Sequence, residues 1–189
     1  CKTIINVDDS EEVAGLRDWS VDVPRASRHP VTPRDLAMIL YTSGTTGPSK
    51  GIMYSHEMAV AFADATHWML GFKPSDIAYN CLPLFHGNSL LCTLIPCLRV
   101  GALSVFGPRF SASSYWETVR AEKATVLSLL GSMVPILLNQ PPSPDDRSSR
   151  ARIALAVPCP KNNFHEFQER FGIKLSSLYG MTDIGLPIG

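Results

Sequence analysis

The sequence predicts an α/β protein in which alternating β-α units form mainly parallel sheets covered by helices. From Leu36 onward, apolar runs of strand length alternate with stretches whose apolar residues recur at helical spacing, the signature of successive β-α-β units. The 189 residues are 45% hydrophobic and only 18% charged, so the chain can bury a sizeable core and lies outside the disordered class. The longest apolar stretches, 89–98 and 124–138, are broken by Pro96 and by Gly131 and Pro135, and they fall short of the roughly 20 residues of a membrane span.

Residues 1–34 read as an irregular lead-in, acidic at Asp8, Asp9, Glu11 and Glu12 and then basic and proline-bearing. Leu36 to Tyr41 is a continuous apolar run of strand length, and Ile52 to Tyr54 is a second, with a polar Gly/Ser/Thr loop between them. Ser55 is placed to cap a helix in which Met58, Ala61, Phe62, Ala65, Trp68 and Met69 recur at helical spacing until Gly71 and Pro74 stop it. Strands are then expected at 77–82, 102–106, 125–129, 153–157 and 173–178. Helices are expected at 88–98, 112–122, 132–139 and 160–171, the last with Phe164, Phe167 and Phe171 on one face and Gly172 as C-cap. Residues 140–150, with neither periodicity nor apolar anchors, read as an exposed loop.

Seventeen Lys and Arg balance seventeen Asp and Glu, which argues against a basic surface for nucleic acid or anionic lipid. The five cysteines, at 1, 81, 92, 97 and 159, form no Cys-x-x-Cys pair and no zinc spacing. Cys81, Cys92 and Cys97 sit in apolar runs and read as buried reduced thiols, so a reducing, cytoplasmic setting is expected.

The chemistry concentrates in the run from Tyr41 to Gly51, where five Ser and Thr hydroxyls, three glycines and Lys50 fall within eleven residues. Glycines let backbone N–H groups approach phosphate oxygens, hydroxyls add donors, and lysine supplies a mobile positive charge. A plain hairpin turn needs only two to five residues and gains nothing from this set. The spacing is neither that of a Walker A loop nor G-x-G-x-x-G. Two more segments stand out: Leu82-Pro83-Leu84-Phe85-His86-Gly87, whose histidine taken alone is more often structural than functional, and Tyr179-Gly180-Met181-Thr182-Asp183.

In that order, the three segments resemble the signatures of the adenylate-forming (AMP-binding) superfamily, in its acyl-CoA synthetase branch. The first resembles Tyr-Thr-Ser-Gly-Thr-Thr-Gly-x-Pro-Lys-Gly with Pro48 and Ser49 exchanged in order, and the third resembles Tyr-Gly-Met-Thr-Glu with Asp183 one methylene shorter than the family glutamate. The resemblance, from about Asp35 to Ile184, implies that residues 35–189 are part of the N-terminal domain of such an enzyme, without its C-terminal domain. It implies an ATP site made of Thr42, Ser43, Gly44, Thr45, Thr46, Gly47, Lys50, Tyr179, Gly180, Met181 and Thr182, with Tyr179 against the adenine. It further implies that Asp183 attends magnesium, that His86 lies near the incoming carboxylate, and that Lys50, His86, Thr182 and Asp183 are the catalytic set. Ala154 to Pro158 lies where family members carry a glycine-rich wall, of which only the position carries over.

The implied reaction is ATP-dependent activation of a carboxylic acid to an acyl-adenylate, which coenzyme A then opens. It needs positioning and charge neutralisation more than a protein base. Text between the motifs, such as Phe110 to Trp116 and Glu169 to Gly172, looks closest to carnitine/crotonobetaine-CoA ligases, although a fatty or aromatic acid fits the same superfamily. The expected partners are a small carboxylic acid, ATP and coenzyme A, with magnesium, and neither nucleic acid nor a membrane span. The family's Thr-Gly-Asp, hinge and C-terminal lysine signatures do not occur in the 189 residues. Cys1 and Gly189 therefore read as edges of a piece, expected to lack appreciable ligase activity by itself. The rival expectation is a non-catalytic nucleotide-binding fragment.

Overall fold

A computed structural model of the chain describes residues 29–42, 48–158, 161–181 and 185–188, at Met181 and 185–188 by backbone alone. The chain divides between Val31 and Thr32, and the fold is that of the unit Thr32–Gly189.

Strands β1 (Leu36–Tyr41) and β2 (Gly51–Ser55) form an antiparallel hairpin in which Leu40 faces Ile52 and Tyr41 faces Gly51. Helix α1 (His56–Leu70) follows at once, its first turn capped by Ser55 Oγ, which accepts from Met58 N–H at 3.2 Å. Gly71 ends it in the left-handed region at φ 59°, as Gly172 ends the last helix at φ 69°, a conformation glycine adopts without a Cβ penalty.

The main sheet has five parallel strands in the order β4-β3-β5-β6-β7: β3 (Ile77–Asn80), β4 (Leu103–Phe106), β5 (Val126–Leu130), β6 (Ile153–Val157) and β7 (Lys174–Ser176). Alternate residues go to opposite faces. Tyr79, Leu127, Leu129, Ala154 and Ala156 pack under α4 (Tyr115–Ala121), α5 (Met133–Leu138) and α6 (Phe164–Phe171). Ala78, Val126, Ile153 and Leu155 form a second cluster with Leu70, Cys92 and Cys97 on the other face. Both faces are thus covered, as parallel strands require. A two-stranded antiparallel pair, β8 (Tyr179–Met181) and β9 (Gly185–Ile188), closes the described chain.

The structure corrects several sequence expectations. The helix expected at 88–98 runs from Gly87 to Val100 in three continuous parts: α2 (Gly87–Ser89), a π-helical turn (Leu90–Leu94) and α3 (Ile95–Val100). Pro96 has no N–H to donate, and the wider turn just before it, with Ile95 N–H reaching Leu90 O, absorbs the mismatch. The strand expected to reach Leu82 stops at Asn80, whose own side chain takes the Leu82 N–H at 2.8 Å. The helix expected from 112 begins at Tyr115, and the strand expected over 173–178 spans only Lys174–Ser176.

Helix α1 turns a different face inward from the one its large apolar residues mark. Ala59, Ala63, Thr66 and Leu70 are buried, whereas Met58 and Trp68 are exposed. The loop at 140–150 has no apolar anchor but does have an ionic one. Arg170 donates to Asp146 at 2.8 Å, to Leu138 O at 2.6 Å and to Pro141 O at 3.0 Å, which ties the loop to α6.

Candidate active site

The chain leaves β3 for β4 at one edge of the sheet and crosses back to place β5 on the other side of β3. In parallel α/β sheets the crevice at such a reversal, beyond the carboxyl ends of the strands, is where ligands bind. A cavity of about 300 Å³ lies beyond the carboxyl ends of β5 and β6. Leu130 and Val157, the last residues of β5 and β6, form part of its floor. Leu40, Tyr54 and Phe62 contribute from the hairpin and α1, Cys92 from the π turn, Leu178 from just before β8 and Gly180 from within it. The remaining wall is His86, Gly87 and Asn88, from the connection after β3.

That connection is held by polar groups buried under it. Asn80 is fully buried; its Nδ2 donates to Asn88 Oδ1 at 3.1 Å and to Thr93 Oγ1 at 2.9 Å, and its Oδ1 accepts from Leu82 N–H. Thr93 Oγ1 also meets Ser128 Oγ at 2.9 Å, and Ser89 Oγ donates to Leu82 O at 2.9 Å. His86 caps α2, its Nδ1 accepting from Asn88 N–H at 3.2 Å. A ring nitrogen that accepts carries no proton, so the proton of the neutral ring sits on Nε2. The ring is exposed while Asn88 is 7% exposed, so this wall grades from an open rim at His86 to a buried base at Asn88. Asn88 Nδ2 is buried with no hydrogen-bond partner among the described residues. The Cys92 thiol, pushed up to about 12 by burial despite a hydrogen bond with Thr66, stays neutral and serves as wall rather than nucleophile.

Of the residues expected from sequence, the structure brings His86 and Gly180 to one cavity. Tyr179 stands beside Gly180 with its ring more than half exposed, and Met181 continues β8. Thr42 and Lys50 close the neck of the hairpin loop: Thr42 N–H donates to Lys50 O at 3.0 Å and Lys50 N–H to Thr42 Oγ1 at 3.3 Å, with the Lys50 residue exposed. Ser43, Gly44, Thr45, Thr46, Gly47, Thr182 and Asp183 lie outside the described residues. No group of acidic, His or Cys side chains that could hold a metal occurs among the described residues. Trp116 and Tyr115, large aromatics outside the motifs, pack in the core against Phe171 and Phe110, away from the cavity lining.

Sequence reading missed Asn80, Asn88, Thr93 and Ser128. The one available signal was an asparagine closing an apolar strand run, because the partners of Asn80 are eight and thirteen residues away and Ser128 is thirty-five from Thr93.

Comparison with known proteins completes the description. Residues 1–188 match the family described as AMP-binding enzyme, so the match takes in the lead-in as well. The chain is 34% identical over 85% of its length to mouse long-chain fatty acid transport protein 5. It is 37% identical over 78% to the medium/long-chain-fatty-acid–CoA ligase FadD6 of Mycobacterium tuberculosis, and 31% identical over 79% to the crotonobetaine/carnitine–CoA ligase of Salmonella heidelberg. It spans about a quarter of these curated relatives: 23%, 25% and 29% of their respective lengths. Among solved structures it is similar to ATP-bound MatB from Rhodopseudomonas palustris, with a TM-score of 0.71 at 28% identity, covering 82% of this chain and 31% of that one. No helix among the described residues is long and apolar enough to cross a membrane.

Proposed function

Since the chain belongs to the AMP-binding enzyme family, we propose that it forms the nucleotide- and acid-binding core of an ATP-dependent acid–thiol ligase. In the proposed reaction a carboxylate oxygen attacks the α-phosphorus of ATP, the bond to pyrophosphate breaks, and an acyl-adenylate results. The sulfur of coenzyme A then attacks the acyl carbon, and AMP leaves with the bonding electrons. The observation that carries this reading is the meeting of His86 and Gly180, from two separated motifs, on one largely apolar cavity at the sheet reversal.

The chain's own residues have positional roles in this scheme. Lys50, at the neck of the hairpin loop, supplies positive charge toward the β- and γ-phosphates, with Thr42, Ser43, Thr45 and Thr46 and the backbone of Gly44 and Gly47 as donors. Tyr179, Gly180 and Met181 form the nucleotide side of the cavity, and Thr182 attends the α-phosphate. His86, its Nδ1 occupied by Asn88 N–H, offers an Nε2–H to the carboxylate. Magnesium, bound with the nucleotide, supplies charge neutralisation, and Asp183 is its proposed protein ligand.

The acid is proposed to be mainly hydrocarbon, since Leu40, Tyr54, Phe62, Leu130, Val157 and Leu178 line the cavity and none of the described lining residues is acidic, as a quaternary ammonium would favour. That favours a fatty acid over a carnitine-type acid. Calorimetry with ATP and magnesium, and pyrophosphate release on a panel of fatty, aromatic and betaine acids, test the proposal on this chain and on any longer form of it. Lys50→Ala is expected to weaken ATP binding roughly tenfold or more, the loss of a charge-assisted contact. Unchanged affinity would move the phosphate site elsewhere, and an inert longer form on every acid would sink the ligase reading.

A further inference from the structure

The polar groups beneath the cavity wall have a fixed direction. Leu82 N–H donates to Asn80 Oδ1, which settles the orientation of the Asn80 amide; its Nδ2 must then donate to Asn88 Oδ1. Asn88 is thereby oriented too, with its oxygen turned to Asn80. The backbone N–H of the same residue donates to His86 Nδ1, which leaves the His86 proton on Nε2. One buried side chain, itself not a lining residue, thus holds Asn88, the lining residue whose backbone N–H meets His86 Nδ1.

We propose that Asn80 is a positioning residue of the acid site: by holding Asn88, whose backbone N–H meets His86 Nδ1, it keeps His86 in the single Nε2–H tautomer, so that this wall presents that N–H to an oxygen acceptor of the bound acid. The inference rests on the ligase reading for its ligand, but not for its geometry. A donor N–H at this wall favours an oxygen-bearing group of the acid over a purely apolar one.

The test compares the unmodified chain with Asn80→Leu, which is similar in size and makes none of the three hydrogen bonds. Ser128→Ala serves as control, because it removes the Thr93–Ser128 contact and leaves the Asn80–Asn88–His86 relay whole. The first readout is the pair of imidazole ¹⁵N shifts of His86, which reports the tautomer with or without ligand. The second is calorimetric affinity for a non-hydrolysable acyl-sulfamoyl adenosine carrying a medium-length acyl chain.

The unmodified chain and Ser128→Ala are expected to show one Nε2–H tautomer and affinities within about twofold of each other. Asn80→Leu is expected to show mixed tautomers and roughly tenfold weaker binding, the loss of about one net hydrogen bond. If Asn80→Leu does not fold, Asn80→Ser, which keeps one hydroxyl, takes its place. The proposal is overturned if His86 keeps one tautomer without Asn80, or if Ser128→Ala weakens binding as much as Asn80→Leu. If the unmodified chain fails to bind the analogue, the ligase reading fails instead, and the ¹⁵N shifts still decide the role of Asn80.

Discussion

Gly131 is the residue at which the fold leaves least room. It follows β5, donates its N–H to Val157 O at 3.0 Å, and lies so close to the next turn that a Cβ would meet Pro158 O at 1.7 Å and Pro158 C at 2.9 Å. Both are backbone atoms, so no side chain can swing away. Gly131→Ala is therefore expected to push apart the ends of β5 and β6, whose Leu130 and Val157 form the cavity floor, and to cost about 1–3 kcal/mol as overpacking does. Urea unfolding checks it: an unchanged midpoint would mean that the two turns separate freely. At this scale the sequence was uneven. His86 stood out because an aromatic-His-Gly segment is a local pattern, whereas Gly131 looked only like an interruption of an apolar run, its reason lying twenty-seven residues away in Pro158.

Among the elements, α1 separates what periodicity determines from what packing determines. Its ends were legible, since Ser55 and Gly71 cap it through local contacts, Ser55 Oγ to Met58 N–H and Gly71 N–H to His67 O. Replacing Ser55 with Ala is expected to cost about 1 kcal/mol, seen as a lower unfolding midpoint, with Ser55→Asp recovering most of it; equal stability of Ser55→Ala and the unmodified chain would contradict the cap. The buried face was not legible, because α1 is apolar on more than one side. Against the hairpin and α3, the small Ala59 and Ala63 allow close approach, and Met58 and Trp68 are left outside. The π turn before Pro96 is similar: proline announced a break, but the helix widens instead of stopping, with Thr93 of the wide turn bonded to Asn80 and Ser128.

Across the molecule, the amino ends of β3, β5 and β6, opposite the cavity, are fastened by one ionic cluster. Asp76, 4% exposed, accepts from Arg152, from Thr125 Oγ1 at 2.7 Å and from Lys73 N–H at 2.7 Å, and Arg152 also reaches Leu70 O and Gly71 O at the end of α1. Burial opposes ionisation of Asp76, but the hydrogen bonds from Arg152, Thr125 and Lys73 and the Arg152 charge outweigh it, holding the carboxyl below its ordinary 3.8. The unfolded chain then takes up this proton at higher pH than the folded one. The stabilisation is complete above 3.8 and is lost as pH falls through the lower folded value. Asp76→Asn is expected to lower stability at neutral pH and flatten its acid decline, measured by urea unfolding from neutral pH downward. An equally steep acid decline in the variant would assign the effect to other carboxylates.

The sequence by itself determined the alternation of strands and helices, the parallel sheet that follows from it, and the motifs that point to nucleotide and acid, because each depends on residues a few positions apart. The tertiary structure alone decided that His86 and Gly180 share a cavity, that the α1 face of small residues is the buried one, and that Asn80 orients the wall. Those outcomes depend on hydrogen bonds and close approaches between segments that meet only when the sheet reverses direction at β3, and a fully buried polar side chain gives no sign of its partners until the chain has brought them within about 3 Å.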